Sequence, residues 1–174
     1  MPPLLFVHLL SLALCMGLLL SAALGDIKTY RIPNAYSLAL LALYPMFALT
    51  APYPVAPLAS LGVMALVLAA GFAAYATGTI GGGDVKLLSA TALFAGPALI
   101  MEFVLVTALS GGVVAMVMLN RPMRLGLAYT LDHVGSRTLR DMLLTDTIPY
   151  GVAIAAGGTY LTLRLVGLAA DAVP

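Results

Sequence analysis

Asp26 and Asp84 are the residues from which chemistry is most readily built in this chain. There are only seven Asp and Glu in 174 residues, and these two stand where apolar runs meet polar sequence. Acids at or inside a bilayer are expensive and are kept for a transport pathway or for chemistry. Two carboxyls that share one proton suit general acid–base work: the ionised one takes a proton from water while the protonated one polarises a carbonyl. Each also has a plainer role. Asp84 precedes an apolar run and is placed to cap free N–H groups. Asp26 closes one, where the helix dipole disfavours negative charge, and its plain role is an ion pair with Lys28 or Arg31. The same helix-end argument makes Asp84 the initial base and Asp26 the proton holder. Gly81, Gly82 and Gly83, directly before Asp84, mark a sharp turn or a close approach and are expected to line an irregular substrate strand. Lys86 either orients Asp84 or the substrate, or anchors the helix at the interface. Metal chemistry has little to draw on, because the single cysteine, Cys15, lies in an apolar run and His8 and His133 fall on opposite sides. No metal and no cofactor are expected.

The elements that must position these acids are membrane helices. The chain is 62% hydrophobic and 9% charged, against about 45–50% apolar and about 25% charged in soluble domains. A net charge of +1 offers no basic stripe, so no nucleic-acid partner is expected. The first apolar run spans Leu4 to Leu24 and is expected to stop at Gly25-Asp26; no Lys or Arg precedes it, so a cleaved signal peptide is not expected. Further runs cover Ala35 to Thr50, entered through Pro33, and Val55 to Thr77. Beyond Gly78–Gly83 come Val85 to Leu93 and Ala98 to Leu119, separated at Gly96-Pro97. The last runs from Ile148 to Ala170, after a polar stretch from Asn120 to Thr147. The fold class is therefore an all-α polytopic membrane protein, a bundle of about six transmembrane helices forming a single domain over 1–174 with one cytoplasmic loop at about 120–147.

Lys28, Arg31, Lys86, Arg121, Arg124, Arg137 and Arg140 all fall on one side of that threading, and only Arg164 lies elsewhere. Basic loops stay cytoplasmic, which puts both termini outside and both aspartates at the cytoplasmic face. Within 120–147, apolar Met123, Leu127, Leu131, Leu139 and Met142 alternate with charges in a pattern compatible with an interfacial helix or a solvated connector. Glu102, in the fifth run, is read as an interhelical hydrogen-bond partner.

Gly81-Gly82-Gly83-Asp84-Val85-Lys86-Leu87-Leu88 resembles the GxGDxKL signature of the type IV prepilin peptidases. Asp26 followed by Ile32-Pro33-Asn34 is similar to that family's first-aspartate motif, and Ile148-Pro149-Tyr150-Gly151 to the element that opens its late helix. The resemblance implies an aspartic endopeptidase of the bacterial inner membrane, with Asp26 and Asp84 as the catalytic pair. It implies Gly81, Gly82, Gly83, Lys86, Pro33, Asn34, Pro149, Tyr150 and Gly151 as residues that shape the site. The implied substrates are prepilin or pseudopilin precursors, whose short basic leader is cut at the cytoplasmic face, and the implied partners are pilus or secretion assembly machinery beside membrane lipid. Longer members carry cysteine pairs in a cytoplasmic domain and methylate the new N-terminus. Here one short run precedes Asp26 and Cys15 cannot form a zinc tetrad, so the resemblance is to a short form of the Flp, tight-adherence type without expected methylation.

Other functions compete. A small ion- or proton-coupled transporter component would use Asp26, Asp84 and Glu102 as a route, with acids spread through the membrane depth. Presenilin-like proteases share GxGD but pair it with Tyr-Asp, whereas Asp26 follows Gly25. A purely structural subunit leaves the triple glycine unexplained.

Overall fold

A single glycine in a helix costs about 1 kcal/mol and does not by itself end it, and in the computed structural model, which describes residues 3–144 and 148–172, the first helix passes through Gly25. α1 spans Pro3–Thr29, so the expected stop at Gly25-Asp26 is corrected and Asp26 lies inside the last turn. The helix ends at Tyr30, a non-glycine residue with φ of 52°, whose N–H still donates to the Asp26 carbonyl at 2.8 Å. Pro33 is extended and sits just ahead of α2 (Asn34–Thr50), not in its first turn. α3 (Pro57–Ala76) begins on a proline, which suits a position whose N–H has no partner. A turn through Gly78 leads to α4 (Gly82–Leu119).

α4 is broken at Gly96, whose φ of 55° and ψ of −170° lie in a region open essentially to glycine alone. Pro97 follows, and the chain reverses there. The return is visible along α7 (Tyr150–Asp171). Gly158 of α7 packs on Thr91 from the outgoing arm, while Gly157 packs on Phe103 and Thr107 from the returning arm. Farther back, Gly111 meets Ala153. The two arms, 82–95 and 97–119, thus run antiparallel on one helix, as the Gly96-Pro97 boundary in the sequence implied. Four helices, α1, α3, α4 and α7, are long and apolar enough to cross a membrane, and α2 is a shorter apolar helix of 17 residues.

Phe47, Leu87, Leu93, Phe103 and Leu161 are buried between the helices, and Leu49, Leu58, Leu66 and Met101 stand exposed on the outside. An apolar exterior over apolar helices is what lipid solvation requires. At one end of the bundle His8 is buried, its Nε2 3.0 Å from the Tyr53 hydroxyl and its ring stacked on Phe47. The Gly96 turn lies at this end too, sharing a cavity with Tyr53–Ala56 and with Leu165 and Leu168.

The other end carries the charge. The stretch read as an interfacial helix or a solvated connector is a helical pair, α5 (Arg121–His133) and α6 (Arg137–Leu144); its last residues, 145–147, lie outside the described ones. Met118, Ala128 and Leu143 pack together where the pair meets the returning arm. Arg140 bridges Asp132 at 2.8 Å and Asp141 at 2.7 Å. The Tyr30 hydroxyl donates to the Met142 carbonyl at 3.4 Å, which ties α6 to the end of α1. His133 is exposed against Tyr129, at the opposite end from His8. Glu102 accepts from the Tyr160 hydroxyl at 2.7 Å and from Arg164 Nε at 3.1 Å, so it is the interhelical link expected and accounts for the one basic residue away from the charged end.

Gly96→Ala combines a forbidden backbone conformation with a Cβ 2.8 Å from Ser60 Oγ. It is expected to cost about 1–3 kcal/mol, read as a lower melting temperature in detergent. Gly62→Ala, whose Cβ meets nothing within 4 Å, serves as the control and leaves the melting temperature unchanged or slightly raised.

Candidate active site

The last turn of α1 turns Asp26 inward, and the residue is only 5% exposed. Its Oδ2 accepts a hydrogen bond of 2.9 Å from the Gly151 N–H, one of the free donors in the first turn of α7, which Pro149 caps. A carboxylate at the end of its own helix is thereby seated on the positive end of another. The helix-end argument that set Asp26 apart from Asp84 no longer separates them. Gly151 is required by space: a Cβ there would stand 2.9 Å from Asp26 Oδ2 and 3.0 Å from both Asp26 Cβ and Ile32 Cδ1. The ion pair with Lys28 or Arg31, the plainer role for Asp26, is not formed; among the described residues neither Asp26 nor Asp84 has a Lys or Arg partner.

Asp84 is not the cap residue. Gly81 occupies that position, and Asp84 is the third residue of α4. Its carboxyl folds back over Gly81, close enough that a Cβ on residue 81 would lie 2.6 Å from Oδ2. This is the reach of a first-turn acid towards the N–H of its own cap. Asp84 Oδ1, by contrast, is buried without a hydrogen-bond partner. A buried carboxyl oxygen left unpaired is costly and calls for a reason.

The triple glycine is less irregular than expected, since Gly82 and Gly83 already belong to the first turn of α4. Each glycine nevertheless has a close neighbour. A Cβ on Gly82 would touch the Tyr75 ring at 3.4 Å, and one on Gly83 would stand 3.0 Å from the Ile32 carbonyl oxygen. Ile32 is thus the wedge between the starts of α4 and α7, pressed by Gly83 on one side and Gly151 on the other.

Two adjoining cavities have both aspartates in their walls. One, of about 400 Å³, is closed by Tyr30, Gly78–Gly81, Ile148 and Tyr150. The other, of about 460 Å³, is closed by Tyr30–Asn34 and Gly81–Gly83. Of the residues singled out in the sequence, Asp26, Asp84, Gly81, Gly82, Gly83, Pro33, Asn34 and Tyr150 line these cavities, and Gly151 joins them through Asp26. Pro149 is buried behind them as the cap of α7. Lys86 points elsewhere: its Nζ donates to Asn34 Oδ1 at 3.0 Å and braces the starts of α2 and α4. Tyr30, Ile32 and Tyr75 were not anticipated. Nothing in the sequence marks a tyrosine for left-handed backbone, although an isoleucine between Asp26 and Pro33 was part of the motif. No three His, Cys, Asp or Glu among the described residues gather as a metal site.

The profile of the type IV leader peptidase family matches residues 13–116. No curated protein and no solved structure matches the chain. Since the family match covers more than half of the sequence and runs through both acid-bearing helix ends, the chain belongs to the type IV leader peptidase family.

Proposed function

We propose that Asp26 and Asp84 are the catalytic pair of a prepilin peptidase that cuts the short basic leader from pilin-like, Flp-type precursors. Family membership carries peptidase activity in general, and the apolar helices carry a membrane location. The observation that favours the paired mechanism is the common cavity wall: one carboxyl is fixed by the Gly151 N–H and the other carries a buried oxygen without a hydrogen-bond partner. The ionised carboxyl of the pair takes a proton from water, and the resulting hydroxide adds to the scissile carbonyl carbon. The protonated carboxyl gives its proton to the carbonyl oxygen as the tetrahedral diol forms. The proton taken from water then passes to the leaving nitrogen. As the C–N bond breaks, the carboxyl that gave up its proton recovers one from a diol hydroxyl, and carboxylic acid and amine are released. Pro149, Gly151 and the Lys86–Asn34 brace act by holding helix ends in place.

The basic end of the bundle is the cytoplasmic face in this reading, with six crossings once α2 and the two arms of α4 are each counted and both termini outside. Glu102 is tied to Tyr160 and Arg164 on another part of α7, which is not the graded file of acids that an ion route needs.

Purified protein in detergent is expected to cleave a pilin-like precursor, and Asp26→Asn or Asp84→Asn is expected to slow cleavage at least about 100-fold with the melting temperature retained. Full activity in either variant overturns the paired mechanism. Gly151→Ala displaces Asp26 and is expected to lower the rate on the order of 100-fold, whereas Gly25→Ala, whose Cβ meets nothing within 4 Å, leaves it unchanged; equal rates for the two variants contradict the seating of Asp26 on α7. A reporter active only outside the cytoplasm, fused after Asp141, is expected to be inactive, and an active fusion inverts the topology.

A further inference from the structure

Between α2, α3 and the outgoing arm of α4 lies a cavity of about 280 Å³ with a polar end and an apolar end. α2 contributes Asn34 and Ser37 from its first turn, and the outgoing arm contributes Lys86 and Ser89, each pair three residues apart and so on one helix face. As α2 leads away from the basic end of the bundle, the wall becomes Leu38 and Leu41, faced by Met64 and Leu68 of α3. Asn34 to Leu41 is about 10 Å of helix. Leu38, Leu41 and Leu68 are exposed, so the apolar end opens to the hydrocarbon around the helices.

The polar end is rich in donors that the fold does not use up. Lys86 Nζ makes its one hydrogen bond, of 3.0 Å, to Asn34 Oδ1, and among the described residues it has no carboxylate partner. An ammonium has three donors, and an amide whose oxygen is engaged still offers its NH2 group. Ser37 is 7% exposed, and its Oγ is buried without a hydrogen-bond partner, which calls for a reason. Ser89, in contrast, spends its hydroxyl on the Val85 carbonyl at 2.7 Å. α2 starts after Pro33 with no side-chain cap, so the positive end of its dipole is at the same level. An ammonium, an amide NH2, a hydroxyl and a helix N-terminus together suit an anion. An interfacial anchor accounts for Lys86 but leaves the lone hydroxyl and the apolar cavity without a role.

We propose that this cavity binds an anionic glycerophospholipid of the leaflet at the basic end, with its phosphodiester at Lys86, Asn34 and Ser37 and the first part of one acyl chain along Leu38, Leu41, Met64 and Leu68. A free phosphate matches the donors and leaves the apolar wall unfilled, whereas a lipid uses both. A net negative headgroup is preferred to a zwitterionic one because, among the described residues, the wall holds no carboxylate to receive a headgroup cation. Bound there, the phosphate ties the first turn of α2 to the start of α4 beside the Lys86–Asn34 bond. The site does not depend on the peptidase reading of Asp26 and Asp84.

The full chain, purified in non-ionic detergent, is titrated with phosphatidylglycerol, phosphatidylcholine or inorganic phosphate, and one-to-one binding is followed by native mass spectrometry beside the melting temperature. Phosphatidylglycerol is expected to bind about tenfold tighter than phosphatidylcholine and to raise the melting temperature, and inorganic phosphate is expected to do neither. Lys86→Gln, which keeps a donor for Asn34, is expected to weaken phosphatidylglycerol about tenfold, and Ser37→Ala about threefold. Leu68→Trp, at an exposed position, fills the apolar end and is expected to weaken it about tenfold as well. Arg121→Gln removes a charge elsewhere and Leu66→Trp adds the same bulk outside the cavity; both are expected to bind as the wild type does. The melting temperature of each variant without lipid reports whether the fold is kept. Equal binding of the two lipids, or equal losses in Lys86→Gln and Arg121→Gln, overturns the site in favour of general attraction to the basic end. Full binding in Leu68→Trp, or stabilisation by inorganic phosphate alone, overturns the assignment to a lipid.

Discussion

The hydrogen bond from the Gly151 N–H to Asp26 Oδ2 joins the end of α1 to the start of α7, and the geometry of the site depends on it. A buried carboxylate at a helix C-terminus would be penalised by desolvation and by its own dipole. Seating it on the first turn of α7 offsets both penalties with one contact. The contact is possible because residue 151 has no side chain. It brings the end of α1 to the level of the first turn of α4, where Asp84 is held over Gly81 by local geometry.

Ile32 shows how the same constraint propagates. Its backbone meets Gly83 and its side chain meets Gly151, so the short extended segment after Tyr30 fixes the spacing between the two acid-bearing helix ends. Tyr30 supplies the reversal into that segment through its left-handed backbone, and its hydroxyl is bonded to α6. The cavity floor is therefore determined by α1, α4 and α7, and its rim by segments whose own stability is borrowed from them. Lys86 contributes at a distance from the carboxyls, as a brace between α2 and α4.

Much of this was legible from patterning. The apolar runs, the Gly96-Pro97 boundary and the common end for the basic residues follow from hydropathy and helix-breaking chemistry, and the antiparallel arms of α4 agree with them. Glu102 was correctly read as an interhelical partner because an acid in an apolar run must find a donor. Less was legible where tertiary packing overrides local propensity. Gly25 does not end α1 because the helix is supported on both sides of it. α5 and α6 are held in place because Ala128 and Leu143 find Met118 to pack against, a contact invisible to a local reading. The plainer role offered for Asp84, that of a cap, is taken by Gly81, and Asp84 is a first-turn acid instead. The role of Gly151 was recognisable as a motif, but its physical reason, a Cβ-sized gap beside Asp26, exists only in the folded chain.

The central claim is that two carboxyls in one cavity act as a single unit, and the cleavage rate of the Asp26→Asn/Asp84→Asn double variant beside each single variant tests it most directly. Residues that share one catalytic function are strongly non-additive. The double variant is expected to be no slower than the slower single variant. Losses that multiply between the two positions would contradict it, because they would assign the aspartates independent roles.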